Sequence, residues 1–200
     1  VNNNSDTYVS WNWKAGTSFT NDASATGIGS IDSSGSVNTD AGFSVISWSG
    51  TGSNGTIAHG LGSAPQVVLL KERNGTNNWL MSHQPLSASL GDYTRFMTLN
   101  SEGAVSGANN VVFQGSAFTS SVFNVGTSAG SNRSGGTYIG YIFSERKGYS
   151  KFSFYKGNGN VDGSFIWTGQ KSAFIMIKRS DVSDSWCVFD NKRLGYNVNN

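Results

Sequence analysis

The 200-residue chain has one cysteine, two prolines, two histidines and few ionic side chains, with 14 Lys and Arg against 12 Asp and Glu. Each scarcity excludes something. A lone Cys187 excludes a disulfide framework and a cysteine-based zinc cage. A net charge of +2 drawn from so few ions is not the basic footprint of a nucleic-acid binder. No apolar run approaches the ~20 residues of a membrane-spanning helix, so that class is excluded. No stretch of a dozen residues combines apolar positions at i, i+3 and i+4 with freedom from Gly, Pro and β-branched runs, which leaves little room for helix. The first residues, Val1 to Ser5, are polar and lack an initiator Met, a basic cluster and a hydrophobic region. The chain is therefore expected to be an excised or processed piece of something longer.

What is present is aromatic and small. Aromatics make up 12% of the chain, including 6 Trp and 12 Phe, which is too much bulky apolar material for a disordered polypeptide. The length is ample for a buried core. Polarity comes mostly from Ser, Gly, Asn and Thr, which suits an extracellular or virion β-protein that stays soluble without a strong field. Strand signals recur. Thr7–Lys14 (TYVSWNWK) alternates Val9, Trp11 and Trp13 against Tyr8, Ser10 and Asn12, and Phe43–Ser49 (FSVISWS) alternates as well. Gln66–Arg73 has a continuous apolar centre, as a strand buried on both faces would. Further strands are predicted at Arg95–Leu99, Val111–Phe113, Val122–Val125, Thr137–Ser144, Tyr149–Tyr155, Ser164–Trp167, Ala173–Arg179 and Ser185–Phe189. Gly, Ser, Asn and Thr clusters between them supply turn chemistry. Short strands at this spacing predict an all-β fold, a β-sandwich of many antiparallel strands.

An internal repeat organises these strands. Gln66–Trp79 (QVVLLKERNGTNNW) aligns with Ala173–Trp186 (AFIMIKRSDVSDSW) without a gap. Thr7–Lys14 aligns with Thr137–Ser144, and Gly42-Phe43-Ser44 with Gly148-Tyr149-Ser150. Two copies, roughly 7–83 and 137–190 with a bridge over 85–136, predict one domain over 1–200 built from two pseudo-repeated halves. Ala15–Ala41 reads as a long surface loop holding at most one short strand, near Gly29–Val37. Trp79 and Trp186 share a repeat position and are expected in the core, and Cys187 beside Trp186 is expected to be a buried, inert thiol.

The stretches TYVSWNWKAG, AGFSVISWSGTGSNGTIAHGLGSAPQVVLLKERNGTNNW, SSVFNVGT, SGGTYIGYIFSERKGYSKFSFYKGNGNVDGSFIWTGQKSAFIMIKRS and DNKRLGYNVNN together resemble a domain of large structural proteins of tailed phages. That domain is frequent in marine and metagenomic phage sequences, where it often follows a lectin-like sandwich in tail-fibre or related appendage proteins. The resemblance covers essentially the whole chain and rests on aromatic and glycine patterns that are silent on chemistry. It implies a virion location, partners among other virion proteins or copies of the same chain, a homo-oligomer by analogy with fibres, and contact with host surface glycan. It transfers no catalytic residue.

Motifs that carry chemistry elsewhere fall short here. Gly50–Gly55 fits GxGxxG, yet no helix signal follows to receive a pyrophosphate, so a hairpin connection is expected. Asn158-x-Asn160-x-Asp162-Gly163 echoes a calcium loop but has one carboxylate and Gly169 where the closing Glu belongs, so an Asx-bonded turn is expected. His59 and His83 lack paired spacing for zinc, which leaves a surface or turn role. Ser144–Lys147 matches SxxK only at a strand end, and no GxSxG elbow exists. A glycan hydrolase needs two convergent carboxylates, and the acids here lie mostly in turns. Trp167 alone among the tryptophans lacks an aromatic repeat partner. With Asn158, Asn160 and Asp162 it is the candidate ligand-binding set. The chain is thus expected to be a non-enzymatic virion module, a spacer or host-adhesion domain without cofactor, metal, nucleic-acid or membrane partner. The alternatives are a secreted carbohydrate-binding domain of a cellular protein and, behind it, a polysaccharide depolymerase.

Overall fold

The computed structural model describes residues 4, 5, 8 and 10–192. Along them run β1 (Thr17–Asn21), α1 (Ala23–Thr26), β2 (Ser33–Asn38), β3 (Phe43–Ser49), β4 (Gly55–Ala58), β5 (Val67–Glu72), β6 (Leu80–His83), α2 (Gln84–Ser89), β7 (Met97–Thr98), β8 (Val122–Val125), β9 (Thr137–Phe143), β10 (Phe174–Lys178) and β11 (Trp186–Asp190). Seven strands form one sheet in the order β1-β2-β3-β9-β5-β6-β7, while β4 pairs with β8 and β10 with β11 in two-stranded sheets. Every strand pair is antiparallel. The all-β class read from the alternation holds.

Period-two alternation sorts the central strands into two faces. Ile46 and Trp48 of β3, Val68 and Leu70 of β5, and Tyr138 and Ile142 of β9 point to one side and are buried. Against them pack Ile57, Phe123 and Val125 from the β4–β8 pair and Val112, Phe113 and Phe118 from the loop before β8, forming the main core. At its centre the Trp48 indole stacks on the Tyr138 ring, centroids 5.4 Å apart and 15° from parallel. Gly140 makes room for this: a Cβ there would lie 3.2 Å from Trp48 Cζ3 and 3.4 Å from Leu70 Cδ2. A second cluster occupies part of the opposite face, where Val67, Met81 and Met97 meet Leu69, Phe143, Phe152 and Trp186. Trp13 joins that side against Phe43, Phe143 and Phe174.

Several expectations are corrected. Thr7 and Val9 of the predicted first strand lie outside the described residues, and Ser10–Lys14 is not a strand. The chain pairs later instead. In Ala15–Ala41 the one short strand expected near Gly29–Val37 is β2, but the rest, read as a loop, also holds β1 and α1, because polar residues there leave the hydrophobic period faint. Asp22 caps α1 by accepting from the Ser24 and Ala25 amides, and Gly27 ends it in the left-handed region. Val111–Phe113 is a turn, of which Val112 and Phe113 still enter the core while Val111 is exposed. The strands predicted at Tyr149–Tyr155 and Ser164–Trp167 are absent: Tyr149 lies in a turn closed by the Arg146–Ser150 bridge, and 151–155 and Ser164–Trp167 pair with no strand among the described residues. Gly50–Gly55 is not a hairpin, since β3 and β4 belong to different sheets. Trp79 and Trp186 are only half-buried, and Cys187 is exposed.

The gapless match of Gln66–Trp79 with Ala173–Trp186 falls on two hairpins of equal register. Val67 pairs with His83 and Phe174 with Asp190, so corresponding residues meet in both. Elsewhere the aligned segments differ: Phe43 opens β3, whereas Tyr149 lies in a turn closed by an Arg146–Ser150 bridge.

His59 is sealed into the core between β4 and the loop before β8. The Leu61 amide donates to Nδ1 at 3.2 Å, so Nε2–H donates to the Thr119 carbonyl at 3.2 Å and the neutral ring is satisfied at both nitrogens. Burial pulls its pKa down to about 4. The unfolded chain, with an ordinary imidazole, binds the extra proton first, so stability falls as pH drops from about 6.5 to about 4, by roughly 3 kcal/mol for the full shift. Burial lowers His83 as well, with the same sign. Titration of the imidazole resonances by NMR should show His59 neutral down to about pH 4; an ordinary midpoint near 6.5 would contradict the sealed site.

Candidate functional site

The sheet face opposite the main core is apolar only over β5, β6, β7 and the end of β9. Across β1, β2 and β3 it carries hydroxyls. Cross-strand neighbours share a face, and the registers place Thr20, Ser34, Ser47, Ile139 and Lys71 in one row. Ser18, Ser36, Val45 and Tyr141 form the next. The hydroxyls of Ser34 and Ser47 lie 3.1 Å apart, and Ser47 also donates to the Ser34 carbonyl. Ser49 and Thr137 are paired across β3 and β9 beyond the first row, and the Arg73 amide donates to the Thr137 carbonyl at 2.7 Å.

This hydroxyl field lines a groove of ≈ 330 Å³, bounded by Asp22 and Asp32 on one side and Arg73 on the other. A second hollow of ≈ 400 Å³ continues it through the shared Asp32 and Ser49 to Gly50 and Thr51. Both lie within the size range of small-ligand sites. Trp48 and Tyr138 belong to the lining of the first, and the Trp48 indole N–H is buried without a hydrogen-bond partner among the described residues. Tyr138 is fixed at both ends of its hydroxyl, which donates to the Ala129 carbonyl at 2.7 Å and accepts from the Arg133 amide at 2.9 Å. Below it Glu72, wholly buried at the end of β5, pairs with Arg133 and accepts from the Asn77 side chain. The Asn77 bond, with Arg133 and Lys71 nearby, holds its carboxyl below the usual range. These contacts anchor the turn carrying Arg73.

Two carboxylates in one groove raise the question of acid catalysis. Asp22 accepts from the Ser24 hydroxyl at 2.7 Å and from the Ser24 and Ala25 amides, and the Ser24 hydroxyl foremost holds its carboxyl below the ordinary value. A general acid needs the opposite shift. Asp32 accepts from the Ala23 amide at 2.8 Å. Both acids are thus tied into the α1 cap and act as fixed acceptors at the groove's rim.

The residues singled out from sequence lie elsewhere. Asn158, Asn160 and Asp162 come together in one exposed turn. There Asn158 Oδ1 accepts from the Asn160 amide, Asn160 Oδ1 from the Asp162 amide, and Asn158 Nδ2 donates to the Gly163 carbonyl. The Asx turn expected from the sequence is the one observed, and it consumes most of the polar groups it would offer a ligand. Trp167 stands apart on the return arm, 74% exposed. Neither histidine has the surface or turn role expected of it: His59 is wholly buried after β4, and His83 is the last residue of β6, accepting the Leu86 amide at the start of α2. No group of three metal-ligating side chains converges among the described residues. The groove escaped sequence reading because its hydroxyls come from separate strands. Its one legible trace is the Ser alternation in SSGSVN (33–38) and FSVISWS (43–49).

A family model described as a domain of unknown function, DUF7483, matches residues 1–200. No curated protein and no solved structure matches the chain. The anchoring of Tyr138 in the core behind the groove makes a separable prediction. Tyr138→Phe keeps the stack on Trp48 but leaves the Ala129 carbonyl and the Arg133 amide without their partner, and should cost about 1–3 kcal/mol by urea denaturation. A loss indistinguishable from zero would mean that the hydroxyl does not anchor the 129–133 loop.

Proposed function

The chain belongs to the DUF7483 family, and on that premise we propose that it is a non-enzymatic adhesion module, binding neutral glycan in the hydroxyl-lined groove across β1, β2, β3 and β9. The observation that carries this reading is the open row of Thr20, Ser34 and Ser47 with Ser49, Thr137, two fixed carboxylates and Arg73 around it. Sugars present hydroxyls that both donate and accept, and Ser and Thr match that pattern, with carboxylate acceptors and a guanidinium donor at the rim. The groove is shallow, so each contact is weak, and repeated copies on a particle supply strength through avidity. The virion-appendage setting, with tail fibre as the type, rests on the aromatic and glycine motifs of the sequence. The runner-up, a secreted carbohydrate-binding domain of a cellular protein, would use the same groove and differ in its flanking domains. Depolymerase activity is disfavoured by the geometry of the two groove carboxylates, since Asp22 is held by the Ser24 and Ala25 amides and the Ser24 hydroxyl and Asp32 by the Ala23 amide, which leaves neither placed as a proton donor. The equal register of the β5–β6 and β10–β11 hairpins supports the further reading of a sandwich grown from a duplicated unit.

We place the glycan contact in the groove and not at the Trp167 turn, because Asn158 Oδ1 and Nδ2 are held by the Asn160 amide and the Gly163 carbonyl, and Asn160 Oδ1 by the Asp162 amide. Affinity electrophoresis through gels cast with neutral polysaccharides tests the choice. The chain should be retarded in at least one, and Ser34→Val with Ser47→Val, which removes hydroxyls while keeping strand-favouring side chains, should abolish the retardation. Retardation that survives this pair but falls in Trp167→Ala would move the site to the turn. No retardation in any gel would remove the glycan reading, and a fall in polysaccharide size with time would restore the depolymerase.

A further inference from the structure

Between β9 and β10 the chain leaves the body of the protein as a long finger. Phe152 is still held, its ring centroid 5.9 Å from that of Phe143. Beyond it the outgoing residues 153–157 and the returning residues 164–168 belong to no helix, strand or turn, with the Asn158–Gly163 turn at the tip. The two arms touch where the Ser164 hydroxyl donates to the Lys156 carbonyl at 2.9 Å, yet no backbone ladder joins them among the described residues. The side chains on these arms are large and apolar. Phe165 is 89% exposed, Trp167 74%, Phe154 54% and Tyr155 48%, and Val161 at the tip is fully exposed.

We propose that this finger is a self-association arm, completed by the same finger of a second copy of the chain in an antiparallel, two-fold pairing. Two independent features point to it. The first is area. An aromatic ring can bury ~150–250 Å², so the four rings at their observed exposures present on the order of 500 Å² before Val161 and Ile166 are counted. That approaches the ~800 Å² per partner of a standard stable interface, and exceeds what isolated surface hydrophobes amount to. The second is the backbone. Arms without a ladder leave backbone N–H and C=O groups unpaired among the described residues, and these are the groups a partnering strand satisfies. An antiparallel strand pair is itself two-fold symmetric, so an unpaired arm needs no other sequence than its own to complete it. In such a pairing Phe165 and Trp167, two residues apart, would share a face and both rings would enter one contact.

A lipid surface is the competing occupant for exposed aromatics. The tip argues against it: Asn158, Asn160 and Asp162 lead the finger, and unpaired backbone is costly in hydrocarbon. The self-association arm is separate from the groove, so either can fail without the other.

Sedimentation equilibrium of the full chain decides the matter, read beside the double variant Phe165→Ser, Trp167→Ser. The chain should approach twice its monomer mass as concentration rises, and the variant should stay monomeric with an unchanged circular dichroism spectrum. Hydrogen exchange provides the second reading: amides of 153–168 should gain protection with increasing concentration while the β3, β5 and β9 amides stay as they are. A chain that remains monomeric throughout, a variant that dimerises as before, or finger amides exchanging at one rate at every concentration would each overturn the proposal. So would a monomer whose finger is protected only by added phosphatidylcholine vesicles.

Discussion

Strand β9 enters the gap between β3 and β5, bonded along its whole length to both, and the rest of the molecule is arranged around that insertion. Its partners lie far back in the chain, so the contact is gained only after a long loop has been closed. What stabilises the closure is the stack of Tyr138 on Trp48, with Gly140 leaving space beside it and Leu70 and Ile142 sealing the ends. These side chains project from one face of β9. The other face of the same strand carries Thr137, Ile139, Tyr141 and Phe143, and it joins the hydroxyl field at one end to the apolar cluster at the other.

Two-sidedness follows from this insertion. An antiparallel sheet is free to keep one face wet, and here the wet portion is confined to β1, β2, β3 and the start of β9, since β10–β11 and the N-terminal aromatics cover the remainder. Trp13 and Phe174 close over Phe43 and Phe143, which marks the boundary between covered and open sheet. The groove exists where that cover stops. Its rim is built from elements that serve local structure first: Asp22 as the α1 cap, Arg73 as the residue after β5, Thr137 as the first residue of β9. The Glu72, Arg133 and Asn77 contacts immobilise the turn behind Arg73, so the groove is presented by rigid sheet on one side and a pinned loop on the other.

Strands with an apolar period were legible in the sequence: β3, β5, β8, β9, β10 and β11 lie where the alternation or apolar run predicts them. Strands built mostly of small polar residues were less so: β2 answers the short strand expected near Gly29–Val37, but β1 was missed. In TSFTN and SSGSVN only Phe19 and Val37 pack on the core, beside Asn21 and Ser33, so one apolar residue per strand displays no period. β4 and β6 are short and were absorbed into turn-rich text. Residues 149–167 carry the aromatic alternation of strands, but no partner strand lies beside them among the described residues, so the strands expected at Tyr149–Tyr155 and Ser164–Trp167 do not form. The hairpin part of the repeat is visible in register, because a gapless match preserves pairing. The hydroxyl face proposed as the ligand site was out of reach for a simpler reason. Its hydroxyls are distributed over β1, β2, β3 and β9, and only the sheet order brings them into one row.

The central claim, that the open hydroxyl face is where this domain meets its ligand, is tested most directly by residue-resolved NMR during titration with a neutral oligosaccharide. The account predicts that shifted amide and side-chain resonances cluster on Thr20, Ser34, Ser47, Ser49, Arg73 and Thr137 and leave Asn158–Trp167 unmoved. Shifts centred on that finger with a silent groove, or no shifts at any concentration, would contradict it.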